Sequence, residues 1–254
     1  MILCVDIGNS NITLGGFDGD ELRLVAKLST AVADTKDEYA VKIVNLLSLY
    51  GVDRANISGA IISSVVPQLN AVMSDALKFV CGVDALTVGP GVKTGINIHC
   101  DIPSSVGADL ICASVAAHYV YGSPSIIVDM GTATNMIVVN SKGIFSGVSI
   151  APGVLLGLTA LSKGTALLSQ VSLEAPRAAA AKNTADCMRS GVIFGHACMV
   201  DGMIDRISEE VGENPTVYAT GEYAPVIVPY CKHEMIHDEH LVLKGLNIIY
   251  KKNI

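Results

Sequence analysis

The sequence contains two turns in which a carboxylate and small polar groups follow an apolar run. Residues 4–13 read CVDIGNSNIT, and residues 126–135, about half the chain later, read IIVDMGTATN. Each turn has an aspartate, Asp6 or Asp129, two residues before a glycine, Gly8 or Gly131. Backbone N–H groups and short polar side chains there can hydrogen-bond phosphate oxygens, while an aspartate needs a cation such as Mg²⁺ between itself and an anion. Two facing turns could therefore hold a nucleoside triphosphate and its metal.

Each turn by itself also fits an ordinary hairpin, in which the Asp and Asn side chains cap the turn. For a single turn, that structural explanation is the better one. Two matched turns, each at the end of an apolar strand, favour a shared ligand-binding role instead.

Elements that would position the first turn can be read from the pattern of apolar residues. We predict strands over residues 2–7, 11–17, 21–28 and 59–66, helices over 34–51 and 67–80, and a short strand over 85–89. Residues 90–109 are rich in Gly, Pro and small polar residues, which is more typical of a functional loop than of filler. A helix over 109–120 follows this loop.

The same pattern restarts near residue 124. We predict strands over 125–130, 133–140 and 143–150, helices after Pro152, a long helix over 184–211, a strand over 216–220 and an amphipathic helix over 240–253. This internal repeat predicts two similar α/β domains, residues 1–115 and 116–254, with a cleft between them. The last helix could pack back on the first domain.

Composition narrows the classes of function. The chain has 254 residues, of which 50% are hydrophobic and 16% are charged, with a net charge of -7, so it can bury a large core. It has no basic block and no Trp, which argues against nucleic-acid binding. No apolar run reaches the ~18 residues of a membrane span, and the N-terminus has no basic leader, so we do not expect a signal peptide. Seven scattered Cys without a CxxC pair favour reduced thiols in a cytoplasmic protein.

With these residues in view, the chain resembles a known family. DIGNSN (6–11) and DMGTAT (129–134) are similar to the two phosphate motifs of the acetate and sugar kinase/actin superfamily. More narrowly, the chain resembles the type III pantothenate kinases over nearly its whole length. Eight further segments fall in the expected order: SSVVP (63–67), KTG (93–95), VGAD (106–109), APG (151–153), KNTADCMRSGVIFG (182–195), VDGMIDRI (200–207), YATGE (218–222) and LKGLNIIY (243–250).

The resemblance implies a fold and an activity. The fold is a pair of ribonuclease H-like domains, and the assembly is a homodimer with its active sites at the subunit interface. The activity is ATP-dependent phosphorylation of the primary alcohol of pantothenate, the first step towards coenzyme A. The implied cofactors are ATP, a divalent cation such as Mg²⁺, and a monovalent cation, K⁺ or NH₄⁺.

The resemblance also implies roles for individual residues. Asp109 is the implied general base, although the residues alone leave open that it only caps the following helix. Asp129 is the implied ligand of the monovalent cation, and Thr184 would reach pantothenate across the dimer. The implied contacts of ATP and its metal are Asp6, Gly8, Asn9, Ser10, Asn11, Thr132 and Thr134. The implied acceptor pocket includes Cys100, Gly107, Ala108 and Leu110.

The sequence departs from the family pattern at four positions. Leu110 replaces an Arg and Cys100 replaces a Tyr on the acceptor side, while Val148 replaces a Gly and Asn135 replaces a Thr. Leucine carries no charge and donates no hydrogen bond, so the change at Leu110 is not conservative. We hypothesise that nucleotide binding is retained and that activity on pantothenate is weakened, redirected or lost. Two alternatives therefore stand beside pantothenate kinase: a kinase of the same fold for another small alcohol, and a catalytically weak, nucleotide-binding regulatory relative.

One motif points elsewhere. Residues 233–237 read HEMIH, which matches the zinc-protease pattern, and His240 follows. That chemistry needs both histidines, His233 and His237, on one face of a stable helix. The segment follows Pro229 and precedes the last helix, so we predict a solvated polar loop instead.

Overall fold

A computed structural model describes residues 1–165 and 171–254. The chain divides into two compact units. The first contains Met1–Asn97, Asp101–Ala116 and Leu241–Ile254, and the second contains Ile98–Cys100 and Ala117–His240. Among the described residues, no helix has the length and hydrophobicity to cross a bilayer.

The first unit is built on a five-stranded sheet with the order β3-β2-β1-β4-β5. Its strands are β1 (Ile2–Ile7), β2 (Asn11–Asp18), β3 (Glu21–Ser29), β4 (Gly59–Ser64) and β5 (Ala85–Thr87). The first three are antiparallel neighbours, whereas β4 pairs with β1 in parallel. Its helices are α1 (Lys36–Leu49), α2 (Gln68–Cys81), α3 (Ala108–Ala116) and α7 (Leu241–Lys251).

Helices cover both faces of this sheet. Leu3, Val5 and Ile7 join the core formed with α1 and α2. Side chains alternate along a strand, so Cys4 and Asp6 point to the opposite face, where α3 and α7 pack. Asp6, which the sequence predicts to be a site residue, is therefore on the α3 side of the sheet.

The second unit has a six-stranded sheet with the order β11-β10-β7-β8-β9-β6. Its strands are β6 (Asn97–Ile98), β7 (Ser125–Met130), β8 (Ala133–Val139), β9 (Ile144–Pro152), β10 (Thr216–Thr220) and β11 (Ile236–His237). Its helices are α4 (Val154–Gly164), α5 (Thr184–Val211) and the short α6 (Ala224–Ile227). Ile126, Val128 and Met130 contribute to the core that α4 and α5 cover.

The two sheets repeat one topology. In each, three antiparallel strands are followed by a strand that pairs in parallel with the first of them, β4 with β1 and β10 with β7. This repeated arrangement confirms the expected pair of ribonuclease H-like domains.

Local sequence signals account for most element bounds. Helix α1 begins after Thr35, whose side chain and that of Glu38 form a reciprocal capping box. Helix α5 has the predicted bounds, 184–211. The helix predicted over 109–120 is shorter: α3 ends at Ala116 and a π-helical turn, Ala117–Tyr121, follows. The predicted loop over 90–109 includes the two-residue strand β6 and a 3₁₀ turn, Pro103–Ser105.

Candidate active site

The first polar turn joins β1 to β2. Asp6 lies opposite Thr13 of β2 and Ser63 of β4, so three polar residues stand side by side across neighbouring strands. The turn is closed by a hydrogen bond of 2.9 Å from the Gly8 N–H to the carbonyl of Asn11. Asn9 and Ser10 at its tip are exposed. The turn thus combines a partly buried carboxylate with accessible polar groups.

The second polar turn joins β7 to β8 and is one residue shorter. Its closing hydrogen bond, 2.9 Å long, runs from the Gly131 N–H to the carbonyl of Ala133. Asp129 lies opposite Asn135 of β8 and Thr220 of β10, which repeats the polar row of the first unit. Thr132 at the tip is exposed.

The shorter turn changes where Thr134 points. Thr134 is fully buried and pairs with Met130, so it lies on the face covered by α5, opposite to that of Asp129. Its hydroxyl shares a hydrogen bond of 2.9 Å with Nε2 of His196 on α5. Burial lowers the pKa of His196, which favours the neutral imidazole. Thr134 thus has a structural partner, and the fold does not bring its side chain to the Asp129 face.

Asp109 is in the first turn of α3 rather than in the cap before it, because the helix begins at Ala108. Its Oδ1 accepts a hydrogen bond of 2.9 Å from the Leu110 N–H. Burial raises the pKa of Asp109, and the backbone hydrogen bonds oppose this only in part. The carboxylate is therefore a stronger base than an ordinary aspartate.

Gly107 leaves the space that this carboxylate occupies. A Cβ atom at residue 107 would lie well inside van der Waals contact of Asp109 Oδ1, while its next neighbour, Cγ1 of Val65, would be at an ordinary 3.5 Å. The Asp109 carboxylate can therefore occupy this position only because residue 107 has no side chain.

The first unit brings Asp6 and Asp109 into one neighbourhood. The thiol of Cys112 on α3 is fully buried, and its pKa is raised well above the usual value by burial first and then by the charges of Asp6 and Asp109. Both carboxylates therefore act on a thiol of α3, which packs on one side of the first sheet. This is the α3 face of the sheet, as the alternation along β1 requires.

The other predicted site residues occupy several places. Ala108 is the first residue of α3 and is partly buried, and Leu110 is buried, with 7% of its surface exposed. Cys100 is partly buried and belongs to the second unit, as does Thr184, the exposed first residue of α5. Asn183 caps this helix by accepting a hydrogen bond from the Asp186 N–H. Val148 pairs with Ile137 in the sheet of the second unit.

Comparison with known proteins identifies the family. The profile of the type III pantothenate kinase family matches residues 2–206. A type III pantothenate kinase of Geotalea daltonii is 42% identical over 253 residues, covering 100% of this chain and 99% of its own. One from Dictyoglomus turgidum is 42% identical over 256 residues, covering 100% of both chains. The chain belongs to the type III pantothenate kinase family. Its membership in this enzyme family confirms the resemblance seen in the sequence.

Solved structures support the fold of this pantothenate kinase family member. A Campylobacter jejuni protein named for the Baf family of transcriptional activators has a TM-score of 0.63 at 20% identity, covering 99% of this chain and 98% of its own. Component A of the (R)-2-hydroxyglutaryl-CoA dehydratase of Acidaminococcus fermentans has a TM-score of 0.59 at 13% identity, with coverage of 99% and 98%. At such identities the likeness concerns the fold alone.

Two residues beside the candidate site, Gly221 and Cys112, have only weak signals in the sequence. Gly221 follows β10 with φ of +92°, and a Cβ there would lie 2.5 Å from Asp129 Oδ1 and 2.6 Å from the backbone of Met130. A glycine directly after a strand, in YATGE, is the only local hint of this close approach. Cys112 lies three positions after Asp109, but only the packing of α3 on the sheet shows that it faces both carboxylates.

The HEMIH segment does not form the helix that zinc-protease chemistry needs. Ile236 and His237 form the short strand β11. Nε2 of His233 is 2.8 Å from Oδ1 of Asp205, so this imidazole has a partner on α5. Within residues 1–165 and 171–254, no three His, Cys, Asp or Glu side chains are grouped to hold a metal ion.

Proposed function

We propose that this protein transfers the terminal phosphoryl group of ATP to the primary hydroxyl of pantothenate and forms 4′-phosphopantothenate, the first step of coenzyme A synthesis. Membership in the type III pantothenate kinase family supports the donor, the acceptor and the reaction. The observation that carries the proposal is the placement of two carboxylates on the α3 side of the first sheet, Asp6 near the end of β1 and Asp109 in the first turn of α3.

Asp109 is the proposed general base. In phosphoryl transfer the protein mainly positions the reactants and neutralises charge, and a carboxylate near the acceptor oxygen takes its proton. Burial makes Asp109 a stronger base, and the hydrogen bond from the Leu110 N–H fixes one of its oxygens. This carboxylate would accept the proton of the acceptor hydroxyl.

The first turn fits the phosphates and metal of ATP. A side chain at residue 8 would bring its Cβ to 3.0 Å from the Asn11 carbonyl, so glycine keeps this turn tight. The exposed Asn9 and Ser10 would donate hydrogen bonds to phosphate oxygens, and Asp6 would hold the divalent cation. When bound, this cation would neutralise charge on the phosphates. Mg²⁺ commonly takes one or two carboxylates and completes its shell with phosphates and water, which agrees with a single aspartate there.

The second turn is the proposed site of the monovalent cation and of a further ATP contact. Asp129 has Asn135 and Thr220 as its neighbours on the adjoining strands, and carboxylate, amide and hydroxyl oxygens all suit K⁺. Thr132, exposed at the tip, would contact ATP. Thr134 has no part in this proposal, because its side chain lies on the opposite face.

The proposal extends to assembly and location. We propose a cytoplasmic homodimer in which the exposed Thr184 of one subunit contacts pantothenate bound by the other. The seven cysteines are all free thiols, which is usual in a reducing compartment. Sedimentation together with mixed dimers of Asp109→Asn and Thr184→Ala subunits would test the shared site, since only complementing subunits would restore turnover.

The deciding experiment is phosphorylation of pantothenate by the purified protein with ATP, Mg²⁺ and either K⁺ or Na⁺, with the product identified by mass spectrometry. Asp109→Asn should lower kcat by about 10²- to 10⁴-fold, the usual contribution of a general base. Asp75→Asn, the same change at an exposed position of α2 in the same unit, is the matched control. Folded wild-type protein that binds ATP but leaves pantothenate unchanged would overturn the proposal.

Leu110 favours a second candidate, a kinase of this fold with another small alcohol as acceptor. Its buried side chain offers no charge or donor beside Asp109, where the family pattern has Arg. A charge-assisted hydrogen bond contributes about 1.5–3 kcal/mol, or roughly ten- to a hundredfold in affinity. If the acceptor has changed, Leu110→Arg should raise kcat/KM for pantothenate by that factor. If the variant gains nothing, the pocket has replaced the lost contact and pantothenate stands as the acceptor.

A further inference from the structure

Asn253 binds the backbone of a residue 160 positions earlier in the chain. Its Oδ1 accepts a hydrogen bond of 3.0 Å from the Lys93 N–H, and its Nδ2 donates one of 2.9 Å to the Lys93 carbonyl. Nδ2 also donates to the carbonyl of Ile249 in the last turn of α7, at 2.7 Å. The side-chain amide thus uses its acceptor and both donors, as an asparagine can and an aspartate or a leucine cannot.

The bonded residue belongs to the loop between β5 and α3. This connection includes the KTG segment, 93–95, then the strand β6 and the 3₁₀ turn Pro103–Ser105, and it ends at Gly107, directly before α3. Two other hydrogen bonds, from the Val92 N–H to the Gly89 carbonyl and from the Thr94 hydroxyl to the Ile96 carbonyl, connect near neighbours within the loop. They shape the loop locally, whereas the two bonds to Asn253 attach it to a helix.

Helix α7 is itself firmly placed in the first unit. Gly245 packs against the carbonyl of Cys112 on α3 so closely that a side chain there would overlap with it. At the β2–β3 turn, Asn247 donates a hydrogen bond of 2.9 Å to the Gly19 carbonyl, and Lys251 Nζ lies 2.7 Å from Oδ1 of Asp20. Helix α7 therefore contacts the helix that carries Asp109, and the Asn253 side chain just after it binds the KTG segment.

We infer that Asn253 is a positioning residue for the acceptor side of the kinase: it fixes the KTG segment relative to α3. The inference rests on the proposed function, because the acceptor is taken to be pantothenate. Asn253 acts through the backbone of Lys93 and not by contact with the reacting atoms. Its loss should disturb binding of the acceptor and leave binding of ATP at the first turn intact.

Steady-state kinetics of Asn253→Ala test this directly, with Ile254→Ala, the change at the exposed adjacent position, as control. Two neutral hydrogen bonds are lost from the loop, so KM for pantothenate should rise about tenfold while KM for ATP stays within about twofold. Asn253→Asp keeps the acceptor for the Lys93 N–H but loses both donations, and it should not restore the pantothenate KM. Equal changes in both KM values, or none, would overturn the inference.

Hydrogen exchange separates this inference from the proposed function. In the protein without substrates, the Lys93 amide should exchange at least about tenfold faster in Asn253→Ala than in wild type or Ile254→Ala. In Asn253→Asp, part of this protection should remain. If the wild-type protein is inactive on pantothenate but shows the expected exchange pattern, only the proposed substrate is contradicted. If thermal unfolding shows that Asn253→Ala is folded and its Lys93 amide exchanges as in wild type, the positioning role of Asn253 is refuted.

Discussion

Gly107 gives the sharpest test of how the fold positions Asp109. In Gly107→Ala the new methyl group would overlap with Asp109 Oδ1, and its other near neighbour, Val65 Cγ1, is already at an ordinary distance. The overlap is with the end of a side chain, so the chain can relieve it without unfolding. The oxygen would have to withdraw by about 1 Å to reach ordinary van der Waals separation.

This displacement sets the expected loss. A misplacement of about 1 Å can lower a rate by about a hundredfold, which corresponds to ~2.7 kcal/mol of activation free energy. The free energy of unfolding should change less than this. Loss of the hydrogen bond from the Leu110 N–H would lower it by about 1 kcal/mol. The replacement of glycine by alanine would partly offset this, because alanine loses less chain entropy on folding where φ is not positive.

The assay measures kcat, both KM values and the thermal unfolding midpoint of Gly107→Ala beside wild type. Gly89→Ala in the same unit is the control, because no atom lies within 4 Å of the position that its new methyl group would take. A Gly107→Ala enzyme that keeps its wild-type kcat would refute the argument, since the carboxylate would then tolerate a displacement that should disable it. A loss of the same size in Gly89→Ala would show that the loop responds to any added methyl group.

Three further outcomes are expected. Because burial raises the pKa of Asp109, kcat/KM should fall as the pH drops through this raised pKa, which lies above the ~3.9 of an ordinary aspartate. For the same reason, the free energy of unfolding at neutral pH should be larger for Asp109→Asn than for wild type. A pH profile of kcat/KM that falls only at the ordinary pKa would contradict this. The free energy of unfolding of Gly221→Ala, measured with denaturant, should fall by about 2–4 kcal/mol because of backbone strain and overlap with Asp129 and Met130. The control Gly122→Ala, where φ is +102° but no atom lies close, should lose only about 1 kcal/mol, and equal losses in the two variants would exclude the overlap. The free energy of unfolding of Thr134→Val should fall by about 1–3 kcal/mol because the His196 imidazole loses its hydrogen-bond partner, while KM for ATP should stay unchanged. A higher KM for ATP would indicate that Thr134 contacts the nucleotide.

Elements with strong periodicity were predictable from the sequence. The three strands of each repeat and the long helix α5 follow from apolar patterning with polar or glycine boundaries. The two polar turns could be recognised as a pair because each ends a buried strand on an aspartate. The lengths of these two turns were harder to predict from the sequence. DMGTAT and DIGNSN align without a gap on their shared Asp and Gly, but the second turn is one residue shorter. A shift of one residue in a strand moves a side chain to the other face.

The sequence by itself determined the family, the duplicated topology and the aspartates that could act on a phosphate and a hydroxyl, because these depend on local patterns and on residue types. Only the tertiary structure decided that Asp6 and Asp109 share the α3 face with Cys112, that Thr134 turns into the core, and that Asn253 holds Lys93. Such contacts join residues far apart in the chain. They depend on how helices pack against a sheet, which no local pattern specifies.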